Sequence, residues 1–176
     1  MIRFLILMLA AATACGCHAE CRDAKIETIG QYHNMETSDG EDPHLVSGYS
    51  VRLYRCGKEL FGDLEVAVGS TEAVSGQLFD IAYDPKSRHI QFKAKYVSGQ
   101  EYSKATGPGG REARQLLSFS GVMGPRLLKG TFRRRSAYGP EERIEISHEV
   151  MKRARGHDGP KNFAEWESYQ APIPTW

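Results

Sequence analysis

Apolar and polar residues alternate with a period of two over much of residues 47–152, and turn-forming residues break the alternation at intervals. Tyr49, Val51 and Leu53 share one face of a first strand. Leu64, Val66 and Val68 follow, opposite Asp63 and Glu65, and Phe79, Ile81 and Tyr83 make the next set. The clearest run is 89–97, where Ile90, Phe92, Ala94 and Tyr96 point one way and Gln91, Lys93 and Lys95 the other. Leu117 with Phe119, Leu128 with Phe132, and Ile144, Ile146 and Val150 complete about seven strands. His148, between Ile146 and Val150, is expected on the same inward face.

The breaks are short. Asp84-Pro85-Lys86-Ser87 suits a type I turn, and Cys56-Gly57-Lys58 and Val68-Gly69-Ser70-Thr71 suit tight hairpins, with a further stop at Gly124-Pro125. No helix-length segment separates the strands, so parallel pairing through crossovers is unavailable. Gly62, Gly76, Gly121 and Gly130 lie in or beside strands, where glycine marks bulges or sharp bends. The expected fold is therefore all-β: a small antiparallel meander of about seven or eight strands closing into a barrel of lipocalin-like general shape. A two-sheet sandwich is the alternative. Charged outward faces and the small strand number argue against an outer-membrane barrel.

Three segments stand apart. Residues 98–114 contain Thr106-Gly107-Pro108-Gly109-Gly110 and read as a longer loop, either a lip over the barrel mouth or a plain hairpin extension. Residues 20–46 are ambiguous, with Ile26, Ile29 and Tyr32 fitting either a short helix or an edge strand. Residues 156–176 read as a linker and a short helix. Asn162 and Glu165 make its N-terminal cap, Phe163, Trp166 and Tyr169 its aromatic stripe, and Pro172 and Pro174 follow it. That stripe is expected to pack on the barrel.

Residues 1–19 carry the features of an export signal: Arg3, the apolar run Phe4-Leu5-Ile6-Leu7-Met8-Leu9, then small residues. The barrel domain is expected over 20–155. Ala12-Thr13-Ala14-Cys15-Gly16 resembles a bacterial lipobox, with Ala12 where leucine is commonest, and that resemblance implies acylation of Cys15. The competing cut follows Cys17-His18-Ala19 and leaves Cys21 and Cys56, an even pair that an oxidising compartment would join. Either cut implies a protein of the bacterial periplasm or an envelope-tethered lipoprotein.

Composition narrows the class. The chain has 176 residues, 40% apolar and 26% charged, which fits one globular domain and excludes intrinsic disorder. The net charge of +1 speaks against a nucleic-acid partner. It hides a segregation: residues 1–85 carry 6 Lys and Arg against 13 Asp and Glu, and residues 86–155 carry 16 against 6. Arg133-Arg134-Arg135 is the densest cationic cluster. Either one flank of the barrel is basic, or the acidic early strands pair with the basic late strands at closure.

Catalytic patterns are incomplete. His148-Glu149-Val150-Met151-Lys152 has Lys where a zinc-protease helix needs its second His. In 124–131 the Lys and Gly are transposed relative to a phosphate loop, and no helix follows. His33, Asp39, Glu41, Asp42 and His44 match no calcium loop and read as solvated loop. No enzyme activity, metal or cofactor is expected.

Ser98-Gly99-Gln100-Glu101-Tyr102 resembles the Ser-Gly-x-x-Tyr core of bacterial envelope lysozyme-inhibitor lipoproteins, which are small barrels. Ala105 stands where their next glycine belongs, and their Phe-Trp pair is absent. The resemblance implies a partner-binding loop at this motif.

Two functional expectations follow. The first is an exported, non-enzymatic protein binding a small apolar ligand or an envelope partner, with Phe79, Tyr83, Phe92, Tyr96 and His148 as pocket residues. The second is an inhibitor or immunity protein that neutralises an envelope hydrolase or toxin through Ser98, Tyr102 and the flank Arg133, Arg134 and Arg135. An enzyme using His148 with Glu145 or Glu149 ranks last, because strand neighbours point to opposite faces.

Overall fold

A computed structural model describes Cys21 and residues 24–37, 44–102, 104, 106–139, 144–155 and 159–176. Residues 1–20, with the leader and Cys15, lie outside the described residues, as do Asp39, Glu41 and Asp42.

The described residues form a closed antiparallel barrel of eight strands with one short helix. Its strands are β1 (Glu27–His33), β3 (Val46–Cys56), β4 (Glu59–Ser70), β5 (Val74–Asp84), β6 (His89–Glu101), β7 (Arg111–Met123), β8 (Leu127–Ser136) and β9 (Glu145–Arg153). A two-residue strand, β2 (Glu36–Thr37), pairs only with the start of β3. Each strand from β3 onward pairs with its successor. The ring closes because β1 pairs with β3 on one side and with β9 on the other. The β1–β9 seam is short: Tyr32 opposes Arg153 and His33 opposes Lys152. It is reinforced where Ala154 N–H donates to the Gln31 carbonyl at 2.8 Å. The Asn34 amide adds a bond to Glu149 Oε2 at 2.6 Å.

Alternation puts one apolar face of every strand on the axis, and that face is continuous. Val51, Leu53, Leu64, Ile90, Ala94, Leu117, Leu128 and Met151 are all at most 1% exposed. Phe119 ties the aromatic layer together, with ring centroids 4.8 Å from Phe92 and 4.7 Å from Phe132. Gly121 and Gly130 oppose each other under the Phe119 ring. A Cβ on either would come within 2.7 Å of that ring and 2.5 Å of a neighbouring-strand carbonyl, so both positions require glycine. The axis is thus filled by the protein's own side chains.

Alternation has two phases, and in two strands the expected phase is wrong. In β9 the buried residue is Met151, opposite Leu128. That phase turns His148 outward together with Ile146 and Val150, which are 56% and 53% exposed. Ile144 and Val68 are also exposed. In β5 the register shifts between Phe79 and Ala82, with Asp80 left-handed at φ 52°, so Leu78 and Ile81 face the core and Phe79 faces out. Register shifts fall at Thr28–Gly30, Val46–Ser47, Phe79–Ala82 and Val97–Gln100, not at the four strand glycines.

The two ends of the long loop are strand. β6 runs to Glu101 and β7 begins at Arg111, leaving a connection of 102–110. The turn at Asp84 forms as the sequence implies: its carboxylate accepts from Lys86 N–H at 2.9 Å and from Ser87 Oγ at 2.6 Å. The ambiguous N-terminal segment is β1, the strand that closes the barrel. Among the described ion pairs only Lys93–Asp80 joins the early acidic half to the late basic half, so charge pairing does not drive closure.

Candidate functional site

The helix α1 (Phe163–Ser168) packs on the outside of the wall. Asn162 Oδ1 caps it by accepting from Glu165 N–H at 2.9 Å, and Glu165 reaches back to Lys161 N–H at 2.7 Å. Phe163 and Trp166 are buried against Phe61, with centroids 4.9 Å away in each case. Tyr54, Ile26 and the Cys21–Cys56 disulfide complete this second, external core. The disulfide spans 5.8 Å between Cα atoms. Tyr169, third in the aromatic stripe, is 76% exposed.

Beneath α1 lies a buried carboxylate that the sequence pattern places on the wet face. Asp63 is 1% exposed. It accepts from Arg52 Nε at 2.5 Å on one oxygen and from the Trp166 indole N–H at 2.9 Å on the other. Arg52 also donates to Glu65 Oε1 at 2.8 Å. Burial pushes the Asp63 carboxyl above the ordinary range, with Arg52 and the indole opposing the rise. Burial likewise raises Tyr54, assisted by the Asp63 charge. With a donor on each oxygen, Asp63 acts as a clamp that fixes α1 to the wall. A polar cleft of about 380 Å³ opens beside it, lined by Gln31, Arg52, Tyr54, Glu165 and Tyr169 among others.

On the other side of α1 the wall itself is interrupted. β4 and β5 are bonded only over Asp63–Val66 and Val74–Gln77, and from Leu78 onward β5 pairs with β6 alone. The bulge at Asp80, held by Lys93 at 2.9 Å, sits in this gap. The result is a lateral cleft of about 610 Å³ lined chiefly by Leu60, Phe61, Phe79, Ile81, Phe163, Trp166 and Ile173, with Gln77, Asp80 and Glu167 as its polar members. Beyond α1 the chain crosses the outer wall: Gln77 donates to the Ala171 carbonyl at 3.0 Å and Lys95 to the Pro174 carbonyl at 3.0 Å. The cleft has the size and mostly apolar lining of a small-molecule site.

The structure does not bring the five expected pocket residues together. Phe92 and Tyr96 belong to the packed interior. The Tyr96 hydroxyl is buried without a hydrogen bond of normal geometry, and burial raises its pKa while the Arg134 guanidinium beside it opposes. Tyr83 is half-buried at the far end of the barrel. Phe79 lines the lateral cleft. His148 is exposed on the outer wall, bonded through Nδ1 to Thr131 Oγ1 at 3.0 Å.

The expected partner-binding residues are also dispersed. Arg134 points inward and pairs with Glu145, its Nε 2.9 Å from Oε2, while Arg133 faces out and Arg135 is half-buried. Ser98 lies at the β6 bulge, its hydroxyl 3.4 Å from the Ala113 carbonyl, and Tyr102 is 69% exposed just past β6.

The residues missed were Arg52 and Asp63, together with the indole hydrogen bond by which Trp166, expected only to pack, holds Asp63. Their signal lay in register: a Cys56–Glu59 turn sets Arg52 directly opposite Asp63. The helix is legible from its own cap and aromatic stripe, but nothing in β3 or β4 shows that it docks over this pair.

Among the described residues no group of three His, Cys, Asp or Glu side chains is placed to hold a metal ion. No helix among them is long and apolar enough to cross a membrane. Comparison with protein families, curated proteins and solved structures returns no match. What stands is a small closed β-barrel, a class compatible with a binding protein.

Proposed function

We propose that this is an exported, non-enzymatic binding protein of the bacterial envelope, whose ligand is a small apolar molecule held in the lateral cleft rather than on the barrel axis. The observation that carries the reading is the lapse of the β4–β5 ladder beside a filled interior, which leaves a concave apolar surface on the outside of the wall. The Cys21–Cys56 disulfide and the signal-like residues 1–19 support an oxidising, exported setting, with Cys15 as the lipidation site if the tethered form is made.

The test is native followed by denaturing mass spectrometry on protein exported by its own leader. A ligand mass present in native spray, lost on denaturation and absent from Phe79→Arg, supports the reading. A ligand retained by Phe79→Arg, or none with either protein, contradicts it.

A second reading, an inhibitor of an envelope hydrolase, is favoured by Tyr102, exposed beside the connection between β6 and β7, the longest strands. Capture of a hydrolase that Tyr102→Ala abolishes supports this alternative.

A further inference from the structure

The barrel end that carries the β3–β4, β5–β6 and β7–β8 turns holds a separate concavity of about 320 Å³. Three guanidinium groups line it, those of Arg55, Arg88 and Arg153, against one carboxylate, Glu27. The three are held differently. Arg153 is fixed: it donates to the Ile29 carbonyl at 3.0 Å and to the Pro125 carbonyl at 3.4 Å, and it lies 5.8 Å from the Tyr32 ring centroid. Tyr32 is fixed in turn by its hydroxyl bond to the Gly124 carbonyl at 2.9 Å. Arg55 meets Glu27 only loosely, at 3.8 Å. Arg88 pairs with no carboxylate among the described residues.

Arg88 is also the one residue of the three in a costly backbone conformation. Its φ is 59°, in the left-handed region that glycine occupies without strain, and its carbonyl is locked by Met123 N–H at 2.9 Å. An arginine is held where a glycine fits better, and its side chain lines the concavity. Strain of this kind accompanies functional positions. Tyr32 and Tyr83 supply flat apolar wall beside the charges.

We propose that this end of the barrel is an oxyanion site for a small molecule bearing a phosphate or carboxylate on a flat apolar body. Arg88 and Arg55 donate to the anion in the forked geometry that guanidinium offers, and Arg153 is the fixed positive floor. The site is independent of the lateral cleft, so either stands if the other fails.

The experiment is calorimetric titration of the full mature chain with phenyl phosphate, benzoate, inorganic phosphate and phosphatidylglycerol vesicles. Variants Arg88→Gly, Arg55→Ala and Lys129→Ala are run alongside. Saturable binding of phenyl phosphate or benzoate, weakened tenfold or more in Arg88→Gly and in Arg55→Ala and unchanged in Lys129→Ala, is the expected result. Arg88→Gly should melt no lower than the parent without ligand, which separates loss of the site from loss of the fold. Vesicle binding that Arg88→Gly abolishes, without binding of the free anions, supports the same site with a lipid headgroup as the source. No binding of any probe, or equal weakening by Lys129→Ala, overturns the proposal.

Discussion

The described residues form two hydrophobic cores, and they are built on opposite plans. The interior core is built chiefly from apolar side chains: Val51, Leu64, Phe92, Leu117, Phe132 and Met151 meet across the axis, with the Tyr96 hydroxyl a buried polar exception. The external core, under α1, is small and relies on a disulfide, a buried ion pair and an indole hydrogen bond to hold Phe61, Phe163 and Trp166 together. The first is a scaffold in which area burial and close packing do the stabilising. The second closes a breach in the wall and leaves concave surface on both sides of itself. The larger concave apolar surface lies where the sheet is incomplete, not where it is best packed.

The sharpest way to break this contrast is to cut each core in turn. Phe92→Ala removes a ring stacked on Phe119 inside the filled axis, and should cost about 3–5 kcal/mol in denaturant unfolding. The lateral cleft would be untouched in whatever fraction remains folded. The double variant Cys21→Ser with Cys56→Ser, or reduction of the disulfide, should cost about 2–4 kcal/mol and loosen α1 before the barrel. Hydrogen exchange would show that order as early exposure of Trp166 and its neighbours. Simultaneous opening of β6–β8 would show that the two cores are one cooperative unit.

Trp166→Phe is subtler. It keeps the ring but strips one donor from the buried Asp63, and should cost about 1–3 kcal/mol.

The smallest effect is in pH. Burial raises the Asp63 pKa in the folded chain, so the native state holds this proton more readily than the unfolded chain does. The contribution of Asp63 to stability is therefore fully present below the ordinary carboxyl pKa and declines as pH rises through the folded value. Asp63→Asn should flatten that part of the melting-temperature profile. A steeper decline in the variant would mean that Arg52 and Trp166 outweigh burial.

Most of the barrel is legible in the sequence because a period of two is a strong signal when one face is wholly buried. Residues 89–96 display it without exception, and β6 forms there. Phase is the weak point. Ile146 and Val150 look like core residues, and only the placement of Met151 opposite Leu128 turns them and His148 outward. Phe79 is misassigned for a related reason: the bulge at Asp80 changes phase within a strand, and Asp-Ile-Ala gives no turn signal. The cap at Asn162 and the Cys21–Cys56 pair follow from local rules and simple counting. The Arg52–Asp63–Trp166 clamp depends on a contact between residues 103 apart, which no local pattern encodes.

The central claim is that apolar ligands bind outside a filled barrel. Methyl-resolved nuclear magnetic resonance with the apolar probe N-phenyl-1-naphthylamine tests it directly. The account predicts shifts confined to Leu60 and Ile173, which line the lateral cleft away from the interior cluster, with Leu64, Leu117 and Leu128 unmoved on the axis. Shifts concentrated at Leu64, Leu117 and Leu128 would place the ligand inside the barrel and contradict it.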